Sequence, residues 1–242
     1  MRLSHEKKVR PFKKGRTFFS HMLVLFFPWW LVIALLPWRM PIHPRYLATF
    51  QEEKFFHVYN RTNGSHKMFR DSENYRFFIQ RFEEYLSNVL DIYSYTLLPS
   101  HFHYIVKIKP LVEMADFLES MKIKTRDINR IVTNQFRAFF TSYTMSFNKY
   151  HNRQGSLFNH KFRRVALDGI ESLKDCIFYV HSNPTHHSLT KNFIDYPWSS
   201  YPLILSDEPT IIKREEVLSL FGGREEFIEY HQEHKPVIAK PH

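Results

Sequence analysis

Two short runs in this 242-residue chain combine residue types that could do chemistry. The first is His101-Phe102-His103. On a strand, residues i and i+2 point to one face, so the two imidazoles would stand side by side with Phe102 turned into the core behind them. That is half of a divalent-metal site. Fifteen His in 242 residues yield about one His-x-His pair by chance, so the pair alone leans toward a structural role. The second run is Tyr179-Val180-His181-Ser182-Asn183. On a helix, positions i and i+4 share a face, so Tyr179 and Asn183 would project together just before Pro184 ends the helix. An amide oxygen is a hard, neutral ligand, and a phenol beside a metal-bound phosphate can act as a nucleophile. The same two residues equally describe a core tyrosine and a C-capping asparagine. Tyr143 is the rival phenol. Its i+4 neighbour is Phe147, not a ligand, which suits packing or contact with a bound partner. His181 falls on another helix face from Tyr179 and is a poor candidate for a base.

These residues need elements to hold them. The aromatic and β-branched run from Phe55 to Asn60 reads as a strand ending in the turn Thr62-Asn63-Gly64-Ser65. Ser72 can cap a helix running to about Asn88, with Tyr75, Phe78, Phe82 and Tyr85 at helical spacing. Ile92 to Leu98, the turn Pro99-Ser100 and His101 to Ile108 read as a hairpin. Residues 113–149 are helical with a break near Thr125, and 151–155 form a loop. Lys161 to Leu167 is a strand, and Ile170 to Asn183 a helix stopped by Pro184. Residues 205–242 read as a loop and a short acidic helix. The order β-α-β-β-α predicts an α+β fold: an antiparallel sheet with helices packed on it, in the manner of a ferredoxin-like split β-α-β unit.

Composition narrows the classes. With 43% apolar and 17% aromatic residues the chain can build a core and is no disordered tail. Six Gly and thirteen Pro without a period exclude collagen-like and low-complexity architecture. The single cysteine, Cys176, excludes a disulfide framework and a Cys-based zinc site, and points to a reducing, cytoplasmic setting. The net charge of +10 is uneven. Residues 121–164 carry ten basic side chains against Asp127 alone, an excess that suits a phosphate backbone and would otherwise be a solvated helix face. Residues 1–39 hold eight basic residues against Glu6, then an apolar stretch from Met22 to Trp38 broken by Pro28 and Pro37. That extension reads as a leader, a short anchor over residues 18–38, or a segment ahead of a working start at Met40. The expected organisation is thus 1–39, a domain over 40–204, and an acidic segment over 205–242.

The motifs together resemble the single-tyrosine HUH transposases, and within them the REP-associated tyrosine transposases. Six blocks occur in that family's order: Phe56-His57-Val58-Tyr59-Asn60-Arg61; Leu98-Pro99-Ser100-His101-Phe102-His103; Phe147-Asn148-Lys149-Tyr150; Gly155-Ser156-Leu157-Phe158 with Phe162; Tyr179-Val180-His181-Ser182-Asn183-Pro184; and Trp198-Ser199-Ser200-Tyr201. The resemblance spans roughly Phe55 to Tyr201 and implies the HUH nuclease fold. It implies that His101 and His103 are metal ligands, Asn183 the third ligand and Tyr179 the nucleophile. Mg²⁺ or Mn²⁺ is the implied cofactor, with no small-molecule cofactor. The implied reaction cuts and rejoins single-stranded DNA through a 5′-phosphotyrosine and a free 3′-hydroxyl, with no ATP. The implied partner is a single strand folded into an imperfect hairpin, and relatives work as monomers or as homodimers. Two positions depart from the pattern: Ser100 stands where Asn or Glu is usual, and Ser188 where Gly is common.

Arg126, Arg130, Arg137, Arg153, Lys161, Arg163 and Arg164 are placed in the basic block for phosphate contacts. Arg61 and Asn63, just after the first strand, could read a guide or hairpin base. Phe136, Phe139, Phe140 and Phe158 could stack on bases, although core packing accounts for most of them more simply. Two other readings stand beside the enzyme: a non-catalytic nucleic-acid-binding module on the same scaffold, and a membrane-anchored protein with an unrelated domain.

Overall fold

The computed structural model describes residues 46–64, 66–159 and 161–234. The extension 1–39, the Met40 start, Ser65 and the last eight residues lie outside them. No helix among the described residues is long and apolar enough to cross a membrane.

Four strands form one antiparallel sheet: β1 (Phe55–Arg61), β2 (Leu90–Leu98), β3 (His101–Ile108) and β4 (Arg163–Leu167), in the order β2-β3-β1-β4. Helix α1 (Ser72–Leu86) crosses from β1 to β2, leaving room for β3 between them, and α2 (Ala115–Ser120) and α3 (Ile128–Tyr150) cross from β3 to β4. That is the expected α+β, split β-α-β arrangement. Helix α4 (Ile170–His186) follows β4. The hairpin β2–β3 begins at Leu90, two residues before the expected Ile92, and turns at Pro99-Ser100 as expected, pairing Leu98 with His101.

Strand alternation sorts the side chains onto two faces. One face turns Phe56, Val58, Phe102, Tyr104 and Val106 toward α1 and α3, and all five are buried. Helical spacing in α1 aims Phe78 and Phe82 at the same layer, where Phe82 stacks on Tyr104 at 3.8 Å and Phe78 meets Phe139 at 5.0 Å. Each buried aromatic contributes about 1.5–3 kcal/mol. Phe136, Phe139 and Phe158 are likewise core residues, so they are not available for base stacking. Tyr143 is buried with its hydroxyl donating to the Met68 carbonyl at 2.7 Å, which makes it a packing residue. Burial pushes its phenol far up.

The opposite face carries His57, Tyr59 and Arg61 on β1 and His101, His103 and Ile105 on β3; α4 covers its β2–β3 half. Three local expectations need correction. Asp71, not Ser72, caps α1: its carboxylate accepts from the Asn74 amide at 2.9 Å. Pro184 does not stop α4, which continues to His186. Lacking an N–H, Pro184 forgoes only the bond to the Val180 carbonyl, one turn from the helix end. Asn183 is therefore inside the helix, and His187 is the C-cap. Among the described residues beyond 204 there is not one helix but two, α6 (Arg214–Phe221) and α7 (Arg224–Glu233), after the short α5 (Tyr201–Ile204). Val217, Phe221 and Phe227 bury their apolar faces in the same core.

Candidate active site

Register brings the histidines together. Across β1 and β3, Tyr59 pairs with His103 and Arg61 with His101. His57 lies one pleat further along, diagonal to His103. Its Nε2 shares a proton with His103 Nδ1 at 2.9 Å in a buried contact. The rings of His101 and His103 are 5.4 Å apart, edge to face, with Phe102 buried behind them as alternation requires. His101 is held from both sides: Nδ1 contacts the Ser100 hydroxyl at 3.2 Å and Nε2 contacts His187 Nε2 at 3.2 Å. The Ser at position 100 thus orients the first imidazole of the pair.

Helix α4 delivers the phenol to the same place. The Tyr179 ring centroid lies 5.9 Å from that of His103 and 5.9 Å from that of His57, edge-on to both, and 5.8 Å from that of His186. One turn on, Asn183 is buried; its Nδ2 donates to the Tyr179 carbonyl at 2.7 Å, and its Oδ1 has no hydrogen-bond partner among the described residues. A buried acceptor left unpaired is costly and calls for an explanation. Among the described residues no three His, Cys, Asp or Glu side chains gather as a metal site. Two imidazoles with one amide oxygen are a different donor set. It fits a divalent cation in chemistry: two nitrogen donors of borderline softness, one hard oxygen, and that oxygen otherwise unsatisfied.

Burial sets the protonation. It lowers His57 and His101 to about 3 and His186 to about 4, and holds His103 well below the ordinary imidazole range; neighbouring histidines lower His101, His103 and His186 further. The imidazoles are therefore neutral, as ligands must be. Tyr179 is 39% exposed as a residue, yet desolvation pushes its phenol up to about 12; Cys176 and Tyr59 add to the rise and a hydrogen bond from the Asn183 side chain opposes it. An oxygen so placed is a nucleophile only beside a proton acceptor or a cation.

His57, Tyr59, His186 and His187 belong to this cluster and were not singled out by their spacing. The alternation His57-Tyr59-Arg61 puts three polar side chains on one strand face, which is the signal available for His57 and Tyr59. His181 points away: Nε2 contacts the Ser200 and Ser94 hydroxyls at 2.8 and 3.1 Å, and Nδ1 contacts His231 Nε2 at 2.9 Å. That buried chain, which ends on the Phe227 carbonyl, ties α4 to β2, to Trp198-Ser199-Ser200-Tyr201 and to α7.

The basic residues divide into two kinds. Arg61, Arg126, Arg130, Arg137 and Lys161 are exposed. Arg137 and Lys161 border an open groove of about 530 Å³ with Phe140 and Thr144. Arg153 knits its own loop, donating to the Asn148 Oδ1 and the Ser156 carbonyl at 2.8 and 2.7 Å, and Asn63 donates to the Phe158 carbonyl at 2.9 Å. Arg164 donates to the Ala48 carbonyl at 2.5 Å and lies over the Phe50 and Phe162 rings. Arg163 lies over Tyr46 and Tyr59, on the histidine side of the sheet.

Fold and site together define an α+β domain of the split β-α-β type with a neutral histidine cluster and a phenol on one sheet face. No family model and no curated protein matches the chain. Among solved structures it is similar to a REP-associated tyrosine transposase bound to a REP hairpin, with a TM-score of 0.48 and 14% identity over 67% of this chain and 86% of that one.

Proposed function

We propose that the chain is a metal-dependent tyrosine transposase or endonuclease acting on single-stranded DNA. The observation that carries this reading is the approach of the Tyr179 ring to that of His103, 5.9 Å between centroids, with the buried Asn183 oxygen one helical turn from Tyr179 and without a partner among the described residues. His101, His103 and Asn183 would hold Mg²⁺ or Mn²⁺, which would supply Lewis-acid polarisation of a phosphate oxygen. Tyr179 Oη attacks phosphorus; the bond to the 3′-oxygen breaks, leaving a 5′-phosphotyrosine and a free 3′-hydroxyl. The reverse attack by a 3′-hydroxyl reseals a strand and regenerates the phenol. One phosphodiester is exchanged for another, so no external energy source enters. The neutral rings of His57, His103 and His186 surround the phenol, and a neutral imidazole there can take up its proton.

Exposed Arg61, Arg126, Arg130, Arg137 and Lys161 suit the phosphates of a strand, with Arg61 opposite His101 and Arg163 over Tyr59 on the histidine face. Arg153, Arg164 and Asn63 assist by shaping the loops that present them. The family resemblance carried by the motif blocks implies a folded hairpin as substrate, recognised by shape and splayed bases. The alternative is a non-catalytic binding module on the same scaffold. Incubation with a labelled hairpin oligonucleotide and Mn²⁺ separates the two. The wild type is expected to yield a denaturant-resistant protein–DNA adduct, and Tyr179→Phe to bind the oligonucleotide without forming one. A wild type that binds but never forms an adduct refutes the enzyme.

A further inference from the structure

We propose that His57 is a positioning residue for the cation site: it fixes the tautomer of His103 that can bind a metal. This rests on the metal-dependent reading above. The argument begins with proton counting. His57 Nε2 and His103 Nδ1 lie 2.9 Å apart and are buried, so one of them carries the proton and the other accepts it. If the proton is on His103 Nδ1, then His103 Nε2 is a lone pair, free to serve as a ligand. If the proton is on His57 Nε2, neutral His103 must carry its own proton on Nε2 and cannot ligate. The contact therefore links the identity of residue 57 to the donor capacity of residue 103. Metal-bound histidines in general rely on such a partner at the second ring nitrogen, and losing it weakens the metal about 10–100-fold.

Packing holds His57 for this task. Its ring stacks on Tyr59 at 4.8 Å and on His103 at 5.1 Å, both inclined by 26°, while Tyr179 closes it edge-on. Those contacts leave the imidazole little freedom to swing out of line. His101 has a different partner at its Nδ1, the Ser100 hydroxyl, which can donate or accept and so does not impose a tautomer. His101 is also met at Nε2 by His187 Nε2 at 3.2 Å, a contact from the end of α4 rather than from the sheet.

The test is spectroscopic and begins on the metal-free full-length wild type. Long-range ¹H–¹⁵N correlation of the histidine rings is expected to show His103 protonated at Nδ1 and unprotonated at Nε2. His57→Phe, which cannot accept, is expected to shift His103 toward the Nε2-protonated form and to weaken Mn²⁺ uptake, read by electron paramagnetic resonance, by 10–100-fold. His57→Gln, whose amide oxygen accepts, is expected to restore both readouts most of the way. A wild-type His103 protonated at Nε2 overturns the proposal. So does a folded His57→Phe protein with unchanged tautomer and unchanged Mn²⁺ affinity. Where His57→Phe does not fold, the wild-type spectrum and His57→Gln decide: a His57→Gln protein that folds but loses Mn²⁺ as fully as His101→Ala contradicts the acceptor role. Failure of the wild type to form a DNA adduct would sink the tyrosine chemistry and leave the ring spectra untouched.

Discussion

Replacing Asn183 by Leu tests why a buried amide oxygen has no partner. Asn183 Oδ1 is unpaired among the described residues, and Nδ2 donates to the Tyr179 carbonyl at 2.7 Å, with a further contact to the partly exposed Tyr179 phenol. A buried acceptor left unsatisfied costs about 1–3 kcal/mol, and a neutral hydrogen bond returns about 0.5–1.5 kcal/mol. Leu has similar volume, carries no acceptor to strand, and gives up the buried bond to the carbonyl. The balance favours the variant in metal-free protein by about 1 kcal/mol, or about 2–4 °C in melting temperature for a domain of this size. Cation reverses the order. At a hundredfold excess of Mn²⁺ over its Kd, the wild type gains about 2.7 kcal/mol that the variant cannot. Thermal denaturation in chelator and in Mn²⁺ reads both halves. A variant destabilised by more than about 2 kcal/mol in chelator would make the amide a structural element, since loss of a needed buried bond costs that much. An equal Mn²⁺ gain in both proteins would remove Asn183 from the donor set.

Four further outcomes follow from the same geometry. Ser188 has φ +55°, a left-handed conformation that suits Gly at a helix end, so Ser188→Gly should stabilise by about 0.5–1 kcal/mol in urea titration; a loss of stability would contradict the strain. His231→Ala should cost about 3 kcal/mol, because it opens a cavity and strands the His181 Nδ1 partner in the buried chain; a loss under about 0.5 kcal/mol would show the chain to be dispensable. Burial lowers His57 to about 3 and His231 to about 4, so each is neutral when folded and protonated at lower pH when unfolded. Their stabilising contribution is complete above about pH 6.5 and is lost as pH falls toward 4, at about 1.4 kcal/mol per pH unit for each; calorimetry across that window would miss the slope if either were exposed. Lys161→Ala should leave stability unchanged and flatten the salt dependence of single-strand binding by about 0.7 in log–log slope, whereas Arg164→Ala should cost stability through its bond to Ala48; identical behaviour of the two would contradict the division of basic residues.

The sheet was legible because local pattern and final environment agree. Alternation around Phe102 and the Pro99-Ser100 turn set the β2–β3 hairpin and the face of His101 and His103 without help from the rest of the chain. Tyr75, Phe78 and Phe82 marked the packed face of α1 for the same reason. The helix end near Pro184 was misread because proline chemistry is local, while its cost is small when only a final-turn bond is lost. Asp71 and Ser72 are adjacent residues of capping type, and spacing does not choose between them. His57 and His187 were hidden for another reason. Their roles depend on cross-strand register and on how α4 lies over the sheet, so neither sits at a diagnostic distance in sequence from His103 or His101. His231 is fifty residues from His181, and only the packing of α7 against α4 reveals the pair. Residues 205–234 looked like an acidic appendage because their charges are on the outside; their buried residues, Val217, Phe221 and Phe227, are too sparse to mark a core by pattern.

Two phenols border the histidines. Tyr59 stacks on His103 with ring centroids 5.4 Å apart, and Tyr179 meets it edge-on at 5.9 Å. Mass-spectrometric mapping of the nucleotide-bearing peptide, after reaction of the wild-type chain with a hairpin oligonucleotide and Mn²⁺, distinguishes them. The account predicts a nucleotide bonded to Tyr179 and none to Tyr59 or Tyr143. A nucleotide on Tyr59, or no modified tyrosine in protein that holds both Mn²⁺ and DNA, would contradict it.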